Sequence, residues 1–406
     1  MKLLRVGSNT YKKLCNRGFV GSSRIQAKVA SILDAVKKDG DDAVSRFTRK
    51  FDGVALKSRD FKVSEGEIMA AYRDINSEFV TCLKEVFENI ERFHKKRLCR
   101  SWKVRMDTGA MLKETLLPLE KVGIYVPAGT APLISTVYMT VIPARAAGVK
   151  EIVMCTPPDK QGRVNPFVLA VANLLKVNAV YKIGGAQAIA AMAFGTKAVA
   201  KVDKIVGPGN QFVTEAKRQV YGYCDVDMIA GPSEVVVIAN KFSNQEYVLK
   251  DLEAQAEHHG GLAVLVTTSR PLAKKARAAI ATGYVIVVNN MDEAAKIANE
   301  IAPEHLHIMA TKPRSLVKNI RNAAAIFVGP YSPVAIGDYS AGPSHVLPTG
   351  GSARFFSGLG IEDFLKRVHV ISLTKKSFEQ LKNATVKIAT VEGLKKHAES
   401  VEARLK

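Results

Sequence analysis

The chain has 406 residues, 47% of them hydrophobic, and carries a formal net charge of +21 at pH 7. This length and apolar content exclude a disordered or fibrous protein and allow for two or three compact domains. No apolar run approaches the roughly 20 residues needed to cross a bilayer, and the early polar residues exclude a signal peptide, so we expect a soluble, cytoplasmic protein with no membrane partner.

The positive charge raises the question of a nucleic-acid partner. The basic residues are spread over helical stretches such as "KKARAA" and "LKKHAES", without the aromatic interleaving or basic tail that concentrates charge in nucleic-acid-binding proteins. We therefore expect no nucleic-acid partner and interpret the charge as a solvated surface that attracts anionic ligands. The five cysteines are odd in number and lack CxxC or zinc-finger spacing, which indicates reduced thiols in the core.

Amphipathic helices are predicted for most of the first 120 residues. Over residues 23–51 and 64–96, apolar residues recur at spacings of three and four, the period of a helix with one buried face. Ser64 and Glu67 have the spacing of a capping box at the start of the second stretch. Residues 101–122 follow, and their pattern is typical of a hairpin.

Short buried strands alternate with helical stretches from Val122 onward, which predicts parallel, doubly wound α/β sheets. The first series of strands comprises "KVGIYVP", "EIVMCTPP", "AVYKIGG" and "KVDKIVG". The second series comprises "EVVVIAN", "LAVLVTTS", "YVIVVNN", "HLHIMA" and "AIFVG". Two similar α/β domains are thus expected to follow one another, with a boundary near "IAGPSE".

The alternation of strands and helices stops near the end of the chain. Residues 329–360 are rich in Gly, Pro and Ser and show neither the helical nor the strand period. A structureless stretch of this length inside a compact protein is usually functional. A helical tail is predicted for residues 374–406.

Three connections between a strand and a helix are candidate phosphate-binding turns. They are "VPAGTAPLIST", "GGAQAIAA" and "GPGNQFVTEAK", each rich in small, turn-forming residues. Backbone N–H groups at helix N-termini bind anions, and open α/β sheets bind ligands at the carboxyl ends of their strands. Such turns need glycine in any case, and neither the dinucleotide fingerprint nor the P-loop motif is present, so it is the succession of three turns that favours a ligand site.

The histidines are concentrated in the second half of the chain. Of the eight, only His94 precedes residue 250, which would arise if several converge on one site. In "DLEAQAEHHGG", helical spacing places Gln255 on the same side as both His258 and His259. The two glycines that follow predict the helix end, where the dipole favours a metal or a cation. Spacing does not choose between the two histidines, and an imidazole with an amide oxygen is an incomplete zinc ligand set.

Other candidate groups lie closer to the C-terminus. In "NEIAPEHLHIMA", Glu304 and His305 stand side by side at the mouth of a strand, where they could divide the base and acid roles. Asp338 is predicted on a glycine-flanked loop, where a carboxylate suits a metal or a cationic substrate. Glu392 and His397 are five residues apart, so they share no helical face unless a helix begins between them.

Six motifs, in the order in which they occur, resemble those of the histidinol dehydrogenase family across essentially the whole chain. They are "GPGNQFVTEAKRQVYG", "IAGPSEVVVIAN", "QAEHHG", "IAPEHL", "IGDYSAGPSHVLPTGGSARF" and "EGLKKHAES". The resemblance implies a zinc-dependent, four-electron oxidation of L-histidinol through L-histidinaldehyde to L-histidine with two NAD, the last steps of histidine biosynthesis.

The resemblance also implies a role for each matching residue. The zinc ligands would be Gln255, His258, Asp338 and His397. Glu304 and His305 would be the catalytic acid/base pair. The substrate contacts would be Ser233, Gln255, His258, His305, Asp338, Glu392 and His397, with His345 as a further candidate. The NAD contacts would be Tyr125, Gln187 and Asn210, one in each of the three turns, and His259 would be an additional imidazole beside the metal.

An exchanged homodimer with shared active sites is implied as well, in which the C-terminal tail of one subunit carries Glu392 and His397 into the site of the other. The predicted organisation is an N-terminal segment over 1–20, a first α/β domain over 21–124 plus 235–360, a second, NAD-binding α/β domain over 125–234, and a tail over 361–406. Each α/β domain would be a doubly wound, incomplete Rossmann-like fold. Compared with the family, the segment between Ile280 and Tyr284 is short, so a peripheral helix is expected to be shortened or missing.

Two other functions are compatible with parts of the sequence. A metal-free enzyme similar to aldehyde dehydrogenases would share the architecture, but it needs a reactive cysteine in the cleft, and none of the five lies in a recognisable motif. A basic nucleic-acid-binding protein on an enzyme-derived fold is permitted by the charge, but no motif supports it. The NAD-linked, zinc-dependent dehydrogenase is the interpretation that the sequence favours.

Overall fold

The structure is a computed structural model and describes residues 1–18, 21–98, 100–128, 132–258 and 260–405. The strands in these residues are β1 (Lys2–Leu3), β2 (Trp102–Arg105), β3 (Met111–Pro118), β4 (Lys121–Tyr125), β5 (Glu151–Thr156), β6 (Ala179–Lys182), β7 (Lys204–Val206), β8 (Asp225–Val226), β9 (Glu234–Ala239), β10 (Leu262–Thr267), β11 (Tyr284–Val287), β12 (His305–Ile308), β13 (Ala325–Val328) and β14 (Leu365–Ser372). The α-helices are α1 (Asn9–Cys15), α2 (Ser23–Asp39), α3 (Asp41–Phe51), α4 (Glu65–Ala71), α5 (Ser77–Lys95), α6 (Ile134–Ala147), α7 (Pro166–Leu174), α8 (Gly185–Phe194), α9 (Gln211–Val220), α10 (Gln245–Ala256), α11 (Arg270–Ala279), α12 (Met291–Ile301), α13 (Pro313–Val317), α14 (Val334–Tyr339), α15 (Lys375–Val391) and α16 (Lys395–Glu402). None of the helices in this part of the chain is long and apolar enough to cross a membrane.

The chain divides into two compact units, and the first, Met1–Arg97 with Leu119–Phe364, contains two parallel sheets. The larger has the strand order β1-β11-β10-β9-β12-β13, and the smaller has the order β6-β5-β4-β7-β8. All neighbouring strands within them run parallel. Strand β9 lies in the middle of the larger sheet, with β10 and β11 on one side and β12 and β13 on the other. Strand β4 has the same place in the smaller sheet, between β5 and β6 on one side and β7 and β8 on the other. This is the doubly wound order. The predicted fold class, two similar doubly wound α/β domains, is confirmed.

Alternate side chains of the larger sheet enter two separate cores. Val236 and Ile238 of β9 pack with Ala298 of α12 on one face. Val235 and Val237 pack with buried residues of α10 and α11 on the other face. Because both faces are covered, the strand is apolar at every residue from Val235 to Ala239 rather than at every second residue. Each buried Val or Ile contributes about 1.5–3 kcal/mol relative to an exposed one.

The helices near the N-terminus share a core with the smaller sheet. Val29 of α2 and Val44 of α3 are fully buried together with Ile183 and Ile205. The segment before them contributes to the larger sheet instead, because β1 pairs with β11 and Leu14 of α1 lies in one of its cores. The predicted domain boundaries stay a prediction.

A three-stranded antiparallel sheet and two helices form the second unit, Leu98–Pro118 with Leu365–Lys406. Strands β2 and β3 make the predicted hairpin, and β14 pairs with β3 over its whole length. Thr374 then caps α15 by accepting a hydrogen bond from the backbone N–H of Ser377. The tail is helical from Lys375, as predicted, and the strand β14 that precedes it is an addition to the prediction.

The connection from α11 to β11 is short, but helix α11 itself is present before it. Helix α11 has ten residues, and β11 begins after a turn of a few residues. Gly283 in this turn has φ +93°, and a Cβ added there would collide with the carbonyl oxygen of Ala263. Glycine is therefore required for so tight a return to the sheet. A peripheral helix is present at this position, so it is not missing.

Candidate active site

The amino ends of β9 and β12 bring three predicted site residues together. The two strands are neighbours in the larger sheet, with His305 opposite Val235. Ser233 and Glu304 immediately precede the two strands, so they lie at the same edge of the sheet. A cavity of about 220 Å³ opens there, and the predicted residues that line it are Ser233, His258, Glu304, His305, Asp338 and His345.

Glu304 is held in a buried, hydrogen-bonded position. Only 6% of its surface is exposed. Its Oε2 accepts hydrogen bonds from the hydroxyl of Ser233 and from the backbone N–H of Glu234, both at 2.8 Å. Burial raises the pKa of Glu304 to about 7, although these hydrogen bonds and the neighbouring His305 favour the charged form. A carboxyl group that titrates near neutral pH can accept and return a proton, as general acid/base catalysis requires.

The backbone contact of His305 decides which ring nitrogen faces the cavity. Nδ1 lies 3.0 Å from the carbonyl oxygen of Glu234, which can only accept, so Nδ1 carries a proton and donates it. Nε2 is buried and lies 3.2 Å from Asp338 Oδ1 without the alignment of a hydrogen bond. Burial lowers the pKa of His305, but the carboxylates of Glu304 and Asp338 outweigh it and raise that pKa to about 9. Nε2 is therefore the nitrogen that can exchange a proton with a ligand.

Asp338 lies in the short helix α14, not on the predicted loop. Its backbone carbonyl oxygen accepts a hydrogen bond from His345 Nδ1 at 2.9 Å. Nε2 of His345 lies 3.4 Å from the hydroxyl of Thr136. Burial lowers the pKa of His345, which favours the neutral imidazole. His345 thus contacts both α14 and α6 at the wall of the cavity.

The helix that carries Gln255 ends earlier than predicted. Helix α10 stops at Ala256, so His258 lies in the turn after it rather than in its last turn. Gln255 is 5% exposed, and its Nε2 has no hydrogen-bond partner among the residues described. His258 is exposed on one side and lines the cavity on the other. His259, the predicted additional imidazole, lies outside the described residues.

The donor groups at this cavity fit zinc in their chemistry. No three His, Cys, Asp or Glu side chains are grouped closely enough to hold a metal ion within the described residues. His258 and Asp338 nevertheless line the same cavity. The unpartnered Nε2 of Gln255 is a hydrogen-bond donor, so it suits an acceptor on a ligand, whereas zinc would bind the amide oxygen. An imidazole, a carboxylate and an amide oxygen leave one position of a tetrahedral site open. The fourth predicted ligand, His397, belongs to the second unit.

Glu392 and His397 are separated by the start of a helix. Helix α15 ends at Val391, Glu392 caps it, and Gly393 turns the chain with φ +76°. Helix α16 then begins at Lys395, between the two residues. A helix that begins between them is the arrangement in which the two side chains can share a face. Both residues are exposed on the second unit.

The three predicted NAD contacts lie at the carboxyl ends of the smaller sheet. Tyr125 is the last residue of β4, Gln187 is in α8 after β6, and Asn210 caps α9 after β7. The hydroxyl of Tyr125 accepts a hydrogen bond from the N–H of Gly185 at 3.0 Å. Gln187 is 1% exposed, and its Oε1 has no partner within the described chain. Residues 129–131 of the first predicted turn lie outside the described residues.

Asp52 is a neighbour of these residues that the sequence did not indicate. Nε2 of Gln187 donates to Asp52 Oδ2 at 3.4 Å, and burial raises the pKa of Asp52 to about 6. A cavity of about 810 Å³ is lined by Asp52, by Ala128 after β4 and by Pro157 after β5. Open α/β sheets bind nucleotides at this edge. The cavity lies at this edge, but none of the three predicted NAD contacts lines it.

The ion pair between Arg17 and Glu234 was also missed. Arg17 Nε and Nη2 donate to the two carboxylate oxygens of Glu234 at 3.0 and 2.7 Å. The two residues are 217 positions apart. No local period or spacing connects positions so distant, although Glu234 does lie in the motif "GPSE".

Cysteine chemistry is not supported at this site. Among the described residues, Cys15, Cys82, Cys155 and Cys224 are free thiols, and none of them lines the cavity beside Glu304. Cys155 and Cys224 are buried in the core as predicted, whereas Cys15 is half-buried and Cys82 is exposed, so the prediction was wrong for these two. Burial raises the pKa of the Cys224 thiol to about 12 and that of Cys155 further, so both stay protonated at neutral pH. An aldehyde dehydrogenase mechanism needs a thiolate next to the substrate, which these residues do not provide.

Comparison with known proteins identifies the family. The model of the family described as histidinol dehydrogenase matches residues 16–405. The chain belongs to the histidinol dehydrogenase family. The match includes every residue named above at the cavity, at the three turns and in the tail.

Individual histidinol dehydrogenases are similar over almost their whole length. The enzyme of Clostridium acetobutylicum is 43% identical, over 98% of this chain and 97% of its own. That of Listeria monocytogenes is 45% identical, over 94% of this chain and 93% of its own. The crystal structure of histidinol dehydrogenase from Elizabethkingia anophelis superposes with a TM-score of 0.92 and 35% identity, covering 100% of this chain and 98% of that one. The histidinol dehydrogenase fold is therefore present from end to end.

Proposed function

We propose that this protein is a zinc-dependent, NAD-linked histidinol dehydrogenase that oxidises L-histidinol through L-histidinaldehyde to L-histidine, the final steps of histidine biosynthesis. Membership of the family over nearly the whole chain supports this activity. The observation that carries the proposal is the pair Glu304 and His305 in a cavity also lined by Ser233, His258 and Asp338. Two titratable groups with different pKa values thus meet polar groups suited to a small cationic substrate.

The proposed substrate matches the cavity in size and polarity. L-Histidinol carries an imidazole, an amino group that is cationic at neutral pH and a primary alcohol. A cavity of about 220 Å³ is smaller than the site of a drug-sized ligand and suits a molecule of this size. The proposed substrate contacts are Ser233, Gln255, His258, His305, Asp338, Glu392 and His397.

Zinc and NAD would each supply a part of the chemistry that the side chains do not provide. Zinc would be held by Gln255, His258, Asp338 and His397, and NAD would be contacted by Tyr125, Gln187 and Asn210. When bound, zinc has no redox role and orients the polar groups of the substrate, whereas NAD accepts hydride. The side chains of the protein have to supply proton transfer, alignment and exclusion of water.

His305 acts in the first oxidation. Because Nδ1–H is bound to the carbonyl oxygen of Glu234, Nε2 takes the proton of the substrate hydroxyl while the adjacent carbon loses hydride. The product of this step is the aldehyde. The step needs the neutral imidazole, and the carboxylate of Asp338 helps to raise the pKa of His305. A cation bound to Asp338 would offset that influence and favour the neutral form.

Glu304 acts in the second oxidation. Its carboxylate takes a proton from the water molecule that adds to the aldehyde, and the resulting hydrate loses the second hydride to become the acid. A pKa near neutrality leaves a large share of Glu304 as carboxylate at pH 7. The hydrogen bonds from Ser233 and Glu234 fix one of its oxygens. A cavity that retains the aldehyde protects it from reaction elsewhere.

The active site is proposed to be shared between the subunits of a homodimer. Glu392 and His397 are exposed on the second unit, at the junction of α15 and α16. Large apolar side chains are exposed on the same unit: Ile371 (70%), Ile388 (58%), Val391 (79%) and Leu394 (44%). Exposed apolar side chains are typical of interfaces when they form a patch. A tail exchanged between subunits accounts for the distance in sequence between His397 and the other proposed ligands.

The test is NADH formation by the wild-type protein and by Glu304→Gln and His305→Asn. Both variants keep a similar shape but lose proton transfer, which contributes about 10²–10⁴-fold. His305→Asn should impair oxidation of L-histidinol, and Glu304→Gln should impair oxidation of L-histidinaldehyde more than that of the alcohol. Glu253→Gln, an exposed carboxylate paired with Lys250, is the control. A wild-type protein that forms no NADH, or variants with wild-type rates, would refute the proposal.

A further inference from the structure

The backbone of Glu234 connects the two proposed catalytic residues. Its N–H donates to Glu304 Oε2 at 2.8 Å, and its carbonyl oxygen accepts from His305 Nδ1 at 3.0 Å. A single residue therefore contacts both side chains and helps to set the position of each. Any displacement of Glu234 would move the two proton-transfer groups away from their working geometry together.

Arg17 holds the side chain of Glu234 in place. The pair is bidentate, with Nε 3.0 Å from Oε1 and Nη2 2.7 Å from Oε2. Only 18% of the arginine side chain and 6% of the glutamate side chain are exposed. Glu234 Oε1 also accepts from the N–H of Gly350 at 3.0 Å, which attaches the Gly-rich stretch to the same carboxylate.

The guanidinium also reaches the chain segment that leads to Glu304. Arg17 Nη2 donates to the carbonyl oxygen of Ile301 at 3.4 Å, and Nη1 donates to that of Leu14. Ile301 is the last residue of α12, and Ala302 after it has φ +50°, a left-handed conformation that is unfavourable for alanine. Arg17 thus joins the start of β9, whose Glu234 contacts both members of the acid/base pair, to the end of α12, shortly before Glu304 in the chain.

We propose that Arg17 is a positioning residue for the dehydrogenase reaction, acting through Glu234 on Glu304 and His305. The inference rests on the function proposed above. Neither Arg17 nor Glu234 lines the catalytic cavity; they line a neighbouring cavity of about 550 Å³, together with Lys13, and Gly231 and Thr349 line both cavities. Loss of Arg17 should therefore reduce turnover without weakening substrate binding.

The test compares Arg17→Met with Arg17→Lys and with the control Lys13→Met. Lys13 is an exposed cation of the same helical region, and its replacement changes the net charge equally. For Arg17→Met we expect kcat with L-histidinol to fall by about 100-fold, the cost of a small misplacement of reacting groups. KM and the dissociation constant of NADH, measured by fluorescence, should change by less than about twofold. Arg17→Lys keeps the charge but not the bidentate contact, so it should recover part of kcat.

A double variant separates positioning from folding. Arg17→Met leaves the carboxylate of Glu234 buried without its partner, which also destabilises the protein. Arg17→Met with Glu234→Gln removes both charges, so it should unfold near the wild-type temperature and still show the low kcat. Wild-type kcat in the folded double variant, or an equal loss in Lys13→Met, would overturn the inference. A wild-type protein that does not oxidise L-histidinol would refute the proposed function and this inference with it.

Discussion

Removing the hydroxyl of Ser233 tests how hydrogen bonds set the pKa of Glu304. Ser233 Oγ and the backbone N–H of Glu234 both donate to Glu304 Oε2. Both hydrogen bonds favour the carboxylate, whereas burial raises the pKa of Glu304 to about 7. A hydrogen bond to a charged group contributes about 1.5–3 kcal/mol, which corresponds to about 1–2 pKa units. Ser233→Ala should therefore raise the pKa of Glu304 further, by about 1–2 units.

The direction of the rate effect follows from the role of Glu304 as a base. If its pKa rises by one or two units from about 7, the fraction of carboxylate at pH 7 falls by about 5- to 50-fold. Oxidation of L-histidinaldehyde should slow by that factor at pH 7 and recover as the pH is raised. The assay is NADH formation from L-histidinaldehyde across pH, with Ser344→Ala as control because its buried hydroxyl donates to the carbonyl oxygen of Met139. A Ser233→Ala variant with the wild-type pH profile, or with a loss that is constant across pH, would refute this reasoning.

Three further predictions concern stability in acid, the shared site and the cofactor. Burial lowers the pKa of His94 from 6.5 to about 4, and neither ring nitrogen has a hydrogen-bond partner among the described residues. As the pH falls, the unfolded chain therefore binds a proton before the folded chain does, and about 2 kcal/mol of the free energy of unfolding is lost between pH 7 and pH 5. His94→Leu should abolish this loss, measured by urea unfolding at both pH values. An equal loss in the variant would contradict the prediction. Mixed His305→Ala and His397→Ala chains should regain activity, because one of the two sites in each heterodimer is intact; inactive heterodimers would indicate a site made within one chain. Gln187→Leu should weaken NADH binding by roughly tenfold, since its Oε1 has no partner among the described residues and the proposed contact with the cofactor would be lost; an unchanged dissociation constant would argue against that contact.

Interactions between near neighbours in sequence could be predicted. The capping box of Ser64 and Glu67 is present at the start of α4, because its hydrogen bonds span only three residues. Glu304 and His305 are adjacent in the chain, so a strand that begins at His305 necessarily places both at one sheet edge. The alternation of strands and helices likewise predicted parallel sheets, because parallel strands need a crossover connection.

Features that depend on distant packing could not be predicted. Helix α14 has six residues, contains Gly337 and has no side-chain cap, so its local signals favour a loop. A Cβ at Gly337 would lie 2.5 Å from the ring of Phe327, which shows that packing on β13 decides the residue and the conformation there. The contacts of Arg17 with Glu234 and of Asp52 with Gln187 are likewise set by the fold and leave no pattern in the sequence.

NAD oxidises L-histidinol in the proposed reaction, and bound zinc and the residues of one cavity make that oxidation possible. The most direct test is NADH formation from L-histidinol by protein as purified, after chelation with verified loss of metal, and after zinc is added back. Activity should be lost with the metal and restored by zinc, and Asp338→Asn should bind less zinc and remain inactive after zinc is added back. Full activity in protein shown to be free of metal would contradict it.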